Sequence, residues 1–400
     1  MDTWWGLALV LLALLVVAGG AFWLAASRRR TTDRPGGPGR STAPATDTAA
    51  EGAGAAAAPD DRPRAAIIVN PTKFDRLDRV RGQVRSICDK HGWADPLWLE
   101  TTVEDPGTGQ TRQALDDGVD LVCALGGDGT VRTVASAMVD TGVPMGLLSG
   151  GTGNLLARNL GLPVTSLSQG LAVALTGADA RIDTVDIRLH MSPDEGDGGE
   201  GDGRPGHGGA GGGEGDDPPV GDQATDPSDP RVQDHTFLVM AGLGFDAEVM
   251  AHAPEHLKKR VGWAAYLVSG LQRLRGPQFK VTVKTDNDTR LNRRVRSIMV
   301  GNVGKLTGGV NLLPDAEADD GKLDVVLLSP EGIVGWGAVV TRLVTRSNRG
   351  HQRVDYYTCR SLEVTADRPV EVQLDGDTLG RATSLSAQVN PGSLIIRRPR

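Results

Sequence analysis

The chain has 400 residues, 43 basic and 50 acidic side chains and a net charge of −7, enough length for two ordinary domains. Its three cysteines, Cys88, Cys123 and Cys359, form no C-x-x-C pair. That excludes a disulfide framework and a thiolate metal site, and predicts reduced, buried thiols. No nucleic-acid reading module is present and the basic residues are not interleaved with stacking aromatics, so nucleic acid is excluded as a partner.

Residues 3–26 contain no charged side chain. As a helix they would span roughly 34 Å, enough for a bilayer core. Trp4, Trp5 and Trp23 lie near the ends, and Arg28, Arg29 and Arg30 follow directly. This pattern predicts a single transmembrane signal anchor within residues 1–27, with everything after it cytoplasmic. A cleaved signal peptide would have a basic start and a shorter apolar core. Residues 28–63 read as a disordered linker of Ala, Gly, Pro and Thr.

The pattern then becomes regular. Residues 64–69 form a β-branched run, and Leu77, Val80, Val84, Ile87 and Cys88 follow at helical spacing. A strand at 97–99, a helix around 111–116 and a strand at 119–125 come next. Val131, Val134, Ala135, Met138 and Val139 recur at helical intervals. Residues 143–148 give another strand, and a helix begins near Asn154. Alternating strands and helices predict an α/β half with a parallel sheet.

From Asp183 strand follows strand: 184–189, 236–240, 279–284, 294–300, 322–328, 362–365, 370–374 and 394–396. Helical spacing is confined mainly to 259–275 and 334–344. This half reads as mostly antiparallel β structure. Residues 191–230, with 11 acidic residues and one Arg, read as a disordered acidic insertion, which costs little in loop-closure entropy. The remainder is weakly basic, which suits work beside anionic lipid.

Gly126, Gly127, Asp128, Gly129 and Thr130 fall where a parallel strand ends and a helix begins. Ligands bind at that edge, and free N–H groups at a helix start attract phosphate. Glycines permit close backbone approach. A tight turn without ligand would use the same residues. A second loop, Gly150, Gly151, Thr152, Gly153 and Asn154, ends the next strand. Asn70, Pro71 and Thr72 end the first, and Thr101 and Thr102 the second. All four exits thus carry polar or glycine chemistry. Asp375-Gly376-Asp377 follows the strand at 370–374, and reads either as an ordinary hairpin turn or as a turn that aims a carboxylate into a cleft.

The motifs NPTKF, GGDGT and GGTGNLLARNLGLP, in that order, resemble the diacylglycerol kinase catalytic domain family, which includes bacterial soluble lipid kinases and sphingosine kinases. The resemblance continues through AGLGFDAEVM, KKRVGWAAYLVSGL, LLPDAEADDGKLDVV and VQLDGD. GGDG alone also occurs in NAD kinases and phosphofructokinases; the GTGN loop and the late D-G motif separate the lipid kinases from them.

The resemblance implies an α/β ATP-binding domain (64–180) with a parallel sheet. A mostly antiparallel β-sandwich domain (181–400) follows, its last strand returning to the first domain. ATP would lie between them, against Asn70, Pro71, Thr72, Thr101, Thr102, Gly126, Gly127, Asp128, Gly129, Thr130, Gly151, Thr152, Gly153 and Asn154. Asp128 would organise phosphates through Mg2+, and Asp377 would be the base, with Asp375 positioning nearby. The family usually has Glu where this chain has Asp377, a side chain one methylene shorter. A structural Mg2+ would sit at Asp320, with carbonyls from Glu317 and Lys322.

The implied activity is phosphoryl transfer from ATP to diacylglycerol or a related lipid alcohol. A catalytically weak lipid- or nucleotide-binding regulator and an NAD kinase-like enzyme are the alternatives. The oligomeric state is left open, a homodimer among the options. The basic, apolar segment holding Lys258, Lys259, Arg260, Trp263, Tyr266, Arg273 and Arg275 either docks on a membrane surface or covers the β domain. A second basic set, Arg342, Arg346, Arg349, His351 and Arg353, faces anionic headgroups or water.

Overall fold

The computed structural model describes residues 61–193, 229–244, 278–286, 290–306, 311–329 and 354–400. The expected anchor, all but the last three residues of the linker, almost all of the acidic insertion, the helical segments 259–275 and 334–344 and the basic set from Arg342 to Arg353 lie outside the described residues. Among the described residues no helix is long and apolar enough to cross a membrane.

Four strands, β1 (Ala65–Val69), β2 (Leu97–Glu100), β3 (Leu121–Gly126) and β4 (Met145–Ser149), pair in parallel in the order β2-β1-β3-β4. Every residue of β1 and β3 is buried. Such strands are covered on both faces, which explains their continuous apolar runs in place of an alternating pattern. One face, with Ile67, Val69, Cys123 and Leu125, packs with Val84 and Cys88 of α1 (Leu77–Lys90) and Leu171 and Ala174 of α5 (Leu167–Thr176). The other face, with Ile68 and Ala124, packs with Val134, Ala135 and Met138 of α3 (Asp128–Met138). The helix α2 (Thr108–Asp116) contacts α3. The helix at Asn154 is the short α4 (Leu155–Asn159).

The helix α5 is additional to the helices expected from the sequence. Its signals were present: the Ser166 hydroxyl accepts from Gln169 N–H, and Leu167, Leu171, Ala174 and Leu175 keep helical spacing.

The β-rich half comprises β5 (Ala178–Met191), β6 (Val232–Phe237), β7 (Met240–Leu243), β8 (Phe279–Thr285), β9 (Arg290–Val295), β10 (Ser297–Gly301), β11 (Leu323–Leu328), β12 (Val354–Cys359), β13 (Ser361–Leu374) and β14 (Asp377–Arg398). Alternate residues such as Val281, Val283, Ile298, Val300, Val325, Val372 and Leu385 line one core. The intervening Met299, Val326 and Leu328 face the core of the α/β half instead. β10 and β11 are therefore apolar on both faces.

The two halves share one 14-stranded sheet among the described residues. The far end of β14 lies parallel to β4 through Ile396 and Met145. Along most of its length it pairs antiparallel with β5. This explains why β5 and β14 run well beyond the short runs expected at 184–189 and 394–396: each supplies the other's backbone partners.

Two other expected strands are broken. The run 236–240 divides at Leu238 and Val239, whose N–H groups turn to the Asp375 carboxylate. The run 294–300 divides at Arg296, between β9 and β10. Conversely, 362–365 and 370–374 are one strand with a register shift between Thr365 and Val370. At the base of the acidic insertion, Met191 N–H donates to Arg231 O at 2.8 Å, so the insertion leaves from a paired β5–β6 edge.

The three cysteines are free and buried. Burial pushes the Cys88 thiol up to about 11 and that of Cys359 to about 12, and raises Cys123 as well. None is a poised nucleophile.

Ile396 is 0% exposed and sits where β14 joins β4. Ile396→Ala is expected to lower unfolding free energy by about 2–4 kcal/mol, read from urea unfolding at constant m-value. A loss below about 0.5 kcal/mol would show that the end of β14 is not part of the shared core.

Candidate active site

The carboxyl ends of β1, β3 and β4 bring together three of the expected loops. Asn70 N–H donates to Leu125 O, and Gly150 N–H donates to Gly126 O at 2.8 Å. The two glycine loops thus run side by side beyond the sheet. A Cβ on Gly151 would stand 2.7 Å from Gly127 Cα, so the backbones approach more closely than any side chain permits. A Cβ on Gly153 would collide with Asp128 Oδ2.

That carboxylate fastens the loops. Asp128 Oδ2 accepts from Asn154 N–H at 2.9 Å, and Oδ1 accepts from Leu155 N–H at 2.6 Å. Asp128, the first residue of α3, therefore caps α4 from another loop and satisfies donors that a helix start leaves open. Burial pushes its carboxyl above the ordinary range. The Leu155 and Asn154 N–H groups oppose this, and the Asp377 carboxylate adds to the rise. Two carboxylates thus share one small region.

At the first turn, the Asn70 side chain accepts from Thr72 N–H at 3.1 Å and Thr72 Oγ1 at 2.7 Å. Pro71 starts the single helical turn Pro71–Lys73. Lys73 is exposed, and its Cε lies 3.9 Å from where a Gly127 Cβ would be, so an ammonium overhangs the glycine loop. Lys73 was quoted in the NPTKF motif but not singled out; its position over Gly127 is a tertiary fact.

Several expected nucleotide contacts are committed elsewhere. Thr130 is buried beneath Gly126, and Thr101 is buried with its N–H donating to Val69 O. Thr102 Oγ1 accepts from Asp105 N–H. Asn154 is buried, with Nδ2 donating to Gly151 O at 2.8 Å. Of the expected set, Thr72, Thr102 and Thr152 are exposed, while Asn70, Pro71, Gly127, Asp128, Gly129, Gly151 and Gly153 are partly open.

The Asp375-Gly376-Asp377 segment is a hairpin turn and also a site element. Leu374 pairs with Asp377, and the two residues between have φ of 50° and 99°, the positive values that a type I′ hairpin requires. The two carboxylates part company at this turn. Asp375 is 4% exposed. It accepts from Val239 N–H and Met240 N–H, each at 2.9 Å, and from Leu238 N–H at 3.1 Å. Burial pushes its carboxyl up, against the pull of those N–H groups and of Arg132. Asp375 positions the turn and is almost wholly shielded from solvent.

The Asp377 side chain is 50% exposed and forms an ion pair with Arg132 Nη2 at 2.8 Å. Its Oδ2 lies 3.0 Å from where a Gly129 Cβ would be. The second hairpin carboxylate therefore hangs over the first turn of α3, beside the glycine loops.

The expected metal site lies in the loop just before β11. Among the described residues no group of three or more His, Cys, Asp or Glu side chains could hold a metal. Asp320 Oδ1 accepts from Lys322 N–H at 3.0 Å, and Lys322 Nζ lies 3.4 Å from Oδ2, while Glu317 is exposed. An ammonium so near the one carboxylate competes with a cation for it. The loop is organised by Asp183, which the sequence reading used only as a boundary. Its carboxylate accepts from Gly321 N–H and Gly392 N–H, each at 2.7 Å, and its N–H donates to Ala318 O.

His235 of β6 lies within the electrostatic reach of Arg132. Its pKa is lowered by burial first and by the Arg132 charge second, against Asp234.

Both halves of the chain match known proteins. Residues 64–187 match the diacylglycerol kinase catalytic domain, and residues 239–398 match the YegS C-terminal NAD kinase beta sandwich-like domain. A Pseudomonas fluorescens protein named "Probable lipid kinase YegS-like" is 30% identical over 72% of this chain and 80% of its own. An uncharacterized Synechocystis protein is 25% identical over 72% of this chain, which spans 57% of that protein's length. A crystal structure of a diacylglycerol kinase from Bacillus anthracis superposes with a TM-score of 0.56 at 18% identity, covering 84% of this chain and 97% of that one. The chain belongs to the YegS-like lipid kinase family, with a diacylglycerol kinase catalytic domain.

Two outcomes follow from the site. Asp375→Ala would strand three buried N–H groups and is expected to cost about 3 kcal/mol or more, seen as a lowered Tm. A Tm within a degree of wild type would show that these bonds are dispensable. The lowered His235 pKa means that its contribution is fully present above about pH 6.5 and is lost as pH falls, because the unfolded chain binds the proton more tightly. His235→Gln should therefore flatten the fall in Tm as pH drops below about 6.5. Parallel Tm curves would exclude His235 as the source.

Proposed function

We propose that the protein transfers the γ-phosphoryl group of ATP to the hydroxyl of diacylglycerol or a related lipid alcohol. One observation carries the reading: a half-exposed carboxylate, Asp377, stands over the helix start and glycine loops that suit a phosphate chain, while its neighbour Asp375 is wholly engaged in the fold.

In this reading the N–H groups of Gly127, Gly129 and Gly151, with the Lys73 ammonium, receive the phosphates. Asp377 accepts the proton of the lipid hydroxyl. The hydroxyl oxygen bonds to the γ-phosphorus, the bond from that phosphorus to the β–γ bridging oxygen breaks, and its electron pair leaves with ADP. Asp128 offers the carboxylate that a nucleotide-borne Mg2+ would take alongside phosphate oxygens. When bound, Mg2+ would neutralise phosphate charge. The role for Asp128 supported by its bonds is to hold the GGTGN loop.

The lipid substrate gives a reason for the remaining sequence features. Residues 3–26, free of charge and followed by three arginines, would anchor the enzyme in the cell membrane with its catalytic part cytoplasmic. Tethering would raise its local concentration beside a bilayer-confined substrate.

The test is a labelled-ATP assay with the full chain in mixed micelles of candidate lipid alcohols, and with NAD as a soluble acceptor. Lipid phosphorylation is expected, and Asp377→Ala should lower kcat by about 100-fold or more. Full turnover in that variant would remove Asp377 as the base. Labelling of NAD alone, or of no acceptor, would overturn the lipid kinase reading.

A further inference from the structure

One side chain grips both sides of the Asp375-Gly376 turn. Arg132 Nη1 donates to Leu374 O at 2.6 Å, and Nη2 donates to Asp377 Oδ2 at 2.8 Å. Leu374 and Asp377 are the residues that close the hairpin. The guanidinium is thus a strap across the base of the turn, fixed to backbone at one end and to the exposed carboxylate at the other. It is well sheltered: the Arg132 side chain is 17% exposed against 50% for Asp377.

Arg132 belongs to α3, whose first residue, Asp128, fastens the GGTGN loop. The helix that presents its start to the glycine loops therefore also holds the hairpin from the β-rich half. The titratable groups that interact electrostatically with Arg132 are Asp377 and Asp375 from the hairpin and His235 from β6. Among the described residues Asp377 Oδ1 has no hydrogen bond. One oxygen is held and the other is left to take a proton.

We propose that Arg132 is a positioning residue: by bridging Leu374 O and Asp377 Oδ2, it holds the Asp377 carboxylate over the first turn of α3 at the distance phosphoryl transfer needs. This rests on the reading of Asp377 as the proton acceptor. An aspartate is a methylene shorter than a glutamate and reaches less far from its strand. A planar fork with two separate NH2 groups can serve a carbonyl and a carboxylate together; the point charge of lysine holds that geometry less well. Displacement by about 1 Å can cost about 100-fold in rate.

The experiment combines a double-mutant cycle with hydrogen exchange on the full chain. Arg132→Gln is expected to lower kcat by about 10- to 100-fold, with KM for ATP within about twofold of wild type. Arg132→Lys should restore only part of the loss. In an Asp377→Asn background Arg132→Gln should cost no further rate, because its effect passes through that carboxylate. Losses that multiply in the double variant, or a fall in ATP affinity with kcat unchanged, would overturn the proposal.

Hydrogen exchange of the hairpin peptide spanning 372–380 is expected to speed up at least about tenfold in Arg132→Gln; unchanged exchange would overturn the strap itself. If Arg132→Gln fails to fold, Arg132→Lys carries both measurements. The exchange arm needs no activity. A wild-type protein without lipid kinase turnover but with a hairpin loosened in Arg132→Gln would sink the functional reading and leave the strap standing.

Discussion

Everything at this site depends on two polypeptide loops lying closer together than side chains allow, and on one partly buried carboxylate that keeps them there. Gly126 and Gly127 touch Gly150 and Gly151 backbone to backbone. Asp128 then reaches across to the first N–H groups of α4. An ionised group so enclosed is unfavourable alone, and the raised Asp128 pKa records that cost. Donors at a helix start offset it. The result is a rigid ledge of backbone N–H groups at the carboxyl edge of the parallel sheet.

The β-rich half meets that ledge through the same device. Asp375 gathers three N–H groups at the break between β6 and β7, as Asp128 gathers two at α4 and Asp183 gathers two from the loops at Gly321 and Gly392. Each of these aspartates satisfies backbone donors that irregular chain would otherwise bury unpaired. The fold uses these three carboxylates as loop fasteners and leaves the Asp377 side chain half exposed. Because β14 begins at Asp377 and ends beside β4, one strand connects the hairpin to the sheet that carries the glycine loops.

The alternation of strand and helix, the switch to consecutive strands after Asp183 and the glycine clusters were legible because each is a local pattern: apolar periodicity, turn residues and short spacing. The strand lengths were not. β5 and β14 are long because they pair with each other across two hundred residues, and no local window contains that partner. The break at Leu238 was equally hidden, since its cause is a carboxylate 137 residues away.

At the site, the sequence by itself determined the residue types: glycines that can press together, hydroxyls and amides at four strand exits, and a D-G-D turn that permits positive φ. Only the tertiary structure decided their roles. It buried Thr101, Thr130 and Asn154, put Asp320 against Lys322, brought Lys73 over Gly127, and separated two adjacent aspartates into a fastener and an exposed carboxylate. The physical reason is that local backbone preference is written in neighbouring residues. Burial, charge environment and hydrogen-bond partner depend on segments that meet only when the sheet closes.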